Sequence, residues 1–341
     1  MQRLFSMPPL RLALHLGLFL LTFFTTTVAG VQWIGANPFE LENFSLGLPY
    51  SLSLLFILSC HEFGHYFASR HHGVDATLPY YLPFPPFPSL MAMFLNFGTF
   101  GAIIRTRSVV PSKRAIFDIG VAGPIAGFVA SVIVLVYGFT HLPAREFILT
   151  IHPDYDFSIN ASTGGKGIGL AFGDTLLFAG LRWILTNPAA AFVPPMSEVY
   201  HYPYLCVGWF GFFVTALNLL PMGQFDGGHI SYAMFGNRHR TVSRWTFLGL
   251  IALSLPSLLD VFFRTILGMI RGHDVGPMIP FTEYSWWAWF AWALIAYYVV
   301  KLYHPAAPDE TPLDHRRIVI GWIAIAIFVL SFSPIPIVVS Q

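Results

Sequence analysis

The stretch "YSLSLLFILSCHEFGHYF", Tyr50 to Phe67, decides how this chain is read. Its first half is an apolar run suited to a bilayer, and its second half sets His61, Glu62 and His65 into the same run. On a helix, side chains four residues apart leave the same face, so both imidazoles can bind one metal ion, with Glu62 beside them. This is the H-E-x-x-H arrangement, in which two histidines hold zinc and the glutamate serves as general base. A carboxylate deep in a membrane helix costs about 2.5–3.5 kcal/mol on the insertion scale, so ionisable groups at that depth read as functional. Structural zinc sites in small peptides reach about 10–16 kcal/mol, enough to offset that cost. The plainer alternative is three polar groups satisfied by helix neighbours.

Composition agrees with a bilayer setting. Of 341 residues, 55% are hydrophobic and only 10% charged, with a mean hydropathy of +0.63. These values exclude an ordinary soluble domain. Apolar stretches near 11–30, 49–70, 116–139, 204–222, 246–267, 284–301 and 318–339 approach the roughly 20 residues that a crossing helix needs. The expected class is an all-α polytopic membrane protein of about seven transmembrane helices. With a cytoplasmic N-terminus, the inner segments carry Arg3, Arg11, Arg70, Arg105, Arg107, Lys113, Arg114, Arg238, Arg240, Arg244, Lys301, Arg316 and Arg317. The outer segments keep only Arg145, Lys166, Arg182, Arg264 and Arg271, the bias of the positive-inside rule, with the C-terminus outside. These cations flank spans and form no continuous basic stripe, so a nucleic-acid partner is not expected. The first thirty residues admit a cleaved signal peptide, but a retained helix is expected. No long Ser/Arg-rich transit segment precedes them, and a bacterial inner membrane is the expected location.

Between the second and third spans the character changes. Prolines 79, 83, 85, 86 and 88 forbid a regular helix, and Ile, Thr and Val around Gly98 and Gly101 suggest short strands. A small membrane-associated β-hairpin on the inner side is expected there. In "DIGVAGPIAGF", Gly120, Gly123, Pro124 and Gly127 mark a close helix–helix contact. Residues 141–203 read as an outer cap, with "ASTGGKGIG" in the middle and "GLAFGDTLLFAGLRWIL" as an interfacial or re-entrant helix. The expected partition is 1–47 for the first helix and outer loop, 48–230 for the catalytic membrane core, and 231–341 for the C-terminal helices.

A hydrolytic zinc needs a third protein ligand. Asp226, in "TALNLLPMGQFDGGHI", is the best candidate, because Pro221 breaks the fourth span and Gly223, Gly227 and Gly228 permit unusual backbone angles beside it. The second and fourth spans run in the same direction, so His61, His65 and Asp226 all arrive near the cytoplasmic end.

With "HEFGH" at 61–65 and "NLLPMGQFDG" at 218–227, the sequence resembles the site-2 protease family of intramembrane zinc metalloproteases. The similarity extends through "FGAIIRTRSVVPSKRAIFDIGVAGPIAGF" and "GWFGFFVTALNLLPMGQFDGGH", and points to the cyanobacterial and chloroplast-related branch. It covers roughly Leu48 to His229, with weaker support from "HPAAPDETPLDHRR" and "FSPIPI". The resemblance implies one zinc per chain held by His61, His65 and Asp226, with Glu62 as general base. It implies that Asn218 orients substrate or stabilises the oxyanion, and that Pro221 and Gly227 are structural. The implied substrates are transmembrane helices, such as tethered regulators already trimmed by another protease. The outer segment of about sixty residues is short for an inserted PDZ domain. The strand-like stretch with Gly98 and Gly101 is expected to hold an unwound substrate by edge pairing.

Two other readings compete. His61, His65, His71 and His72 faintly resemble the histidine boxes of membrane di-iron desaturases and hydroxylases, but the other nine histidines are scattered. Intramembrane His and Asp residues also suit a non-enzymatic metal transporter, although no internal repeat is evident. Cys60 and Cys206 fall in apolar runs without metal-type spacing and read as buried thiols.

Overall fold

Runs of Leu, Phe, Ile and Ala must satisfy their own backbone groups in an apolar setting, and each stretch expected to span contains helix, though not over its whole length. The structure, a computed structural model, describes residues 8–84, 96–157, 169–189, 191–273 and 275–340. Helix α1 (Pro9–Trp33) leads through a 3-10 turn (Leu41–Gly47) into α2 (Leu48–His71), then strands β1 (Tyr80–Pro83) and β2 (Thr99–Ile103). There follow α3 (Lys113–Thr140), the short α4 (Phe147–Ile151), β3 (Gly169–Phe172), α5 (Leu176–Leu185) and α6 (Pro203–Asn218). The chain ends with α7 (Asp226–Phe235), α8 (His239–Arg271), α9 (Ala288–Ile295) with a π turn to Val300, α10 (His315–Ser331) and β4 (Ile337–Ser340).

By length and composition, four segments can cross a membrane: Pro9–Trp33, Leu41–His71, Lys113–Thr140 and Asp226–Arg271. Leu176–Leu185, Pro203–Asn218 and Ala288–Val300 are apolar but shorter. Among the described residues, four segments meet this criterion, against about seven spans expected. Part of the difference is proline. The stretch expected as 204–222 stops being helical at Asn218, ahead of Pro221, and the one expected as 318–339 stops at Ser331, ahead of Pro334 and Pro336.

The expected hairpin forms. Tyr80 faces Ile103, Tyr81 faces Ala102 and Leu82 faces Gly101; an irregularity then brings Pro83 opposite Thr99. Pro85, Pro86 and Pro88 lie outside the described residues. A second antiparallel pair was not expected: β3 joins β4, with Phe172 opposite Ile337. It divides "GLAFGDTLLFAGLRWIL", since only the part after Thr175 is helical. Thr175 starts α5 by accepting a hydrogen bond from the Phe178 amide at 3.1 Å. "ASTGGKGIG", except for its last glycine, lies outside the described residues.

The core that positions the site is built from α2, α3 and α6. The α2–α3 contact is the most extensive between helices, and α6 packs on both. Tyr50, Leu135, Trp209, Phe210 and Phe212 are fully buried there, and burying such side chains is worth about 1.5–3 kcal/mol each. Helix α1 carries the hairpin through polar contacts: Thr25 Oγ1 donates to the Gly98 carbonyl at 2.7 Å, and Trp33 Nε1 to the Asn96 carbonyl at 3.0 Å. Like interhelical hydrogen bonds, such contacts hold apolar segments together where hydrophobic contrast is weak.

Candidate metal centre

His61 and His65 lie one turn apart on α2, and their Nε2 atoms are 3.0 Å from each other. Asp226, the first residue of α7, brings Oδ2 to 3.5 Å from His61 Nε2 and 3.3 Å from His65 Nε2. A tetrahedral zinc ion with bonds of about 2.0–2.1 Å spaces its ligand atoms about 3.3 Å apart, so the three donors suit one such ion. Two imidazoles and a carboxylate are also the donor types that zinc prefers. All three are drawn in from water: His61 and His65 are buried, and Asp226 is largely so.

The local sequence explains this convergence. His65 Nδ1 faces the Ile119 carbonyl at 2.7 Å. A carbonyl only accepts, so Nδ1 carries the proton and Nε2 keeps its lone pair for a metal. Gly123 of α3 lies flat against the His65 ring, and a Cβ there would overlap imidazole atoms. The small-residue face of α3 thus makes room for the histidine. On the other side, α6 ends at Asn218, and Leu219 to Phe225 form a turn that reverses the chain into α7. Of the three glycines expected to take unusual angles, only Gly223 has a positive φ, at 60°. Gly227 and Gly228 sit in the first turn of α7, pressed on the backbone of Leu219 to Gly223, where side chains would collide.

Glu62 is buried beside this cluster. Its carboxyl lies within electrostatic range of His65 and Asp226 and faces the Ile104 amide just after β2. Asn218 Nδ2 is 3.4 Å from His61 Nε2, at the edge of the same cluster. Gly98 lies against α1, close to Thr25 and Thr26, whereas Gly101, with φ +97°, has open space where a side chain would be. The exposed side chains of Phe100 and Ile103 flank it on β2.

Outside the cluster, His72 Nε2 pairs with Asp118 Oδ2 at 2.8 Å, so the histidines considered for a di-iron box do not assemble into one. Arg317 of α10 grips the same Asp118 with two bonds, at 2.8 and 2.6 Å, joining α3 to α10. Near the base of α7, His229 Nδ1 lies 2.7 Å from His304 Nε2. Burial, and then the neighbouring His229, pushes His304 down to about 4, so this imidazole stays uncharged at neutral pH. The sequence reading missed the supporting roles of Ile119 and Arg317. A bare backbone carbonyl leaves no mark in a sequence, and an arginine just ahead of an expected span reads as a topology signal.

Comparison with known proteins follows the same residues. The family described as Peptidase family M50 matches residues 49–255. The chain is 27% identical over 267 residues to the probable zinc metalloprotease EGY2, chloroplastic, of Oryza sativa subsp. indica, covering 77% of this chain and 43% of that protein. It is 26% identical to the Arabidopsis thaliana EGY2, covering 77% of this chain and 42% of that one. With the probable zinc metalloprotease EGY1, chloroplastic, of Arabidopsis thaliana, identity is 30% over 61% of this chain and 34% of the relative. The chain therefore spans less than half the length of these curated relatives. No solved structure matches it. The family match takes in His61, Glu62, His65 and Asp226 and covers more than half of the sequence, so the chain belongs to peptidase family M50.

Proposed function

We propose that this chain is an intramembrane zinc endopeptidase that hydrolyses peptide bonds of transmembrane-helix substrates, in or near the bilayer. The observation that carries the reading is the meeting of His61, His65 and Asp226 from two different segments, with all three donor atoms turned to one point beside buried Glu62. His61, His65 and Asp226 would hold a zinc ion, which would supply Lewis-acid polarisation of the scissile carbonyl and acidify the attacking water. Glu62 then takes the proton of the attacking water and later gives it to the leaving amine. Asn218, beside His61, offers its amide to the developing negative charge or to the substrate backbone. The His65 bond to Ile119 fixes the ring throughout, and the surrounding apolar helices limit the access of water to these residues.

A transmembrane helix hides its peptide bonds in its own hydrogen bonds, so the substrate must unwind before attack. The edge of β2 away from β1, unpaired among the described residues, is the element offered to the extended segment, with Gly101 leaving space beside it and Gly98 setting the strand against α1. We assign the catalytic core to residues 48–230 and read about seven crossings, with the N-terminus and metal centre toward the cytoplasmic side of a bacterial cell membrane and the C-terminus outside. The uneven distribution of Lys and Arg supports this orientation. Single-span proteins already trimmed by another protease are the substrate class. The test is reconstitution of purified protein in lipid with single-span helices, comparing native protein, Glu62→Gln and a chelated sample. Cleavage should occur only in the native sample and return when zinc is restored to the chelated one; cleavage in all three would end the reading.

A further inference from the structure

A second cluster of ligand side chains sits where α1 ends and α2 and α6 begin. His152 follows α4, Glu198 lies in the loop ahead of α6, and His201 ends the 3-10 turn directly before it. His61 is about 20 Å along α2 from Leu48, at 1.5 Å rise per residue, so the two clusters occupy different depths. The geometry points to a second divalent-cation site of zinc type, formed by His152 Nε2, Glu198 Oε2 and His201 Nε2.

Three observations carry the assignment. First, the donor atoms are spaced as ligands of one ion: 3.0 Å between the two Nε2 atoms, and 3.5 and 3.8 Å from them to Glu198 Oε2. These values bracket the separation of about 3.3 Å that a tetrahedral zinc imposes. Second, Glu198 Oε2 is a buried carboxylate oxygen with no hydrogen-bond partner among the described residues, on a residue only 8% exposed and aimed at the two imidazoles. A buried oxygen left in this state is costly, and a cation offsets the cost directly. Third, His201 is pre-oriented. Its Nδ1 donates to the Trp33 carbonyl at 2.9 Å, which fixes the tautomer and turns the Nε2 lone pair toward Glu198 and His152.

An ion bound there joins segments that are far apart in sequence. It links the cap after α3, through His152, to the entry of α6, and through His201 and Trp33 to the end of α1. His152 is the more exposed ligand and gives the site its access to solvent. The site is therefore a clasp that holds the cap to the helix ends, separate from the chemistry at His61, His65 and Asp226.

The test is the zinc content of full-length protein purified without a histidine tag, equilibrated with buffered zinc and passed through a desalting column. His152→Ala removes an exposed loop ligand and should lower zinc by one equivalent per chain relative to wild type. Glu198→Gln should do the same and should add no further loss in the double variant. The pair His61→Ala with His65→Ala should remove a different equivalent, leaving the one that His152→Ala removes. If His152→Ala and Glu198→Gln both bind as much zinc as wild type, the second site is overturned. If instead the His61/His65 variant binds as much as wild type, the reading of the first centre fails and the second stands.

Discussion

At the scale of single residues, Glu62 and Gly123 separate chemistry from architecture. Glu62→Gln keeps the shape and loses the base, so turnover should fall about 10²–10⁴-fold, the range for a positioned acid–base group. Zinc content should stay at the wild-type level, and a gel-based cleavage assay run beside metal analysis checks both halves. Gly123→Ala should act in the opposite way. Its methyl lands on the His65 ring, so the ligand is displaced while Glu62 is untouched. Affinity at the first centre should drop about 10–100-fold, the usual effect of disturbing a ligand's support, read by competition with a fluorescent chelator. The histidines were legible in the sequence because a four-residue spacing on a helix needs no knowledge of the fold. Gly123 was legible only as a packing residue, because nothing in the sequence says that the neighbour it admits is an imidazole.

At the scale of elements, the β1–β2 hairpin carries the substrate prediction. Gly101 holds φ at +97°, a conformation that residues with a Cβ rarely adopt. Gly101→Ala should therefore distort β2 and lower cleavage of a transmembrane substrate several-fold, without change in bound zinc. Equal loss of zinc would make the hairpin a support of the metal centre and not a substrate edge. The existence of this hairpin was readable from its prolines and β-branched residues, although the strand at 80–83 was hidden by ending on a proline. The β3–β4 pair was not readable. Each strand has four residues, and the partners Phe172 and Ile337 stand 165 residues apart in the chain. Long-range pairing of such short strands leaves no periodic signal.

At the scale of the whole molecule, orientation and the shared ion decide the account. In a Cys60→Ser, Cys206→Ser background, a cysteine at Arg107 should react with an impermeant maleimide only after the membrane is opened. One at Asp154, in the cap, should react in intact cells; the reverse pattern would invert the topology. The helices that cross could be located from hydropathy, yet their number could not be fixed, since proline cuts two of the expected spans short. Convergence of Asp226 on the histidines was expected from the common direction of two spans, and the structure achieves it through a reversing turn that places Asp226 at the head of α7. The claim beneath all of this is that side chains from two segments share one ion within the membrane. Anomalous scattering recorded at the zinc edge tests it most directly: the account predicts a peak about 2.0–2.2 Å from His61 Nε2, His65 Nε2 and an Asp226 carboxylate oxygen. A zinc-loaded protein with no peak between these three residues, or with Asp226 turned away from the histidines, would contradict it.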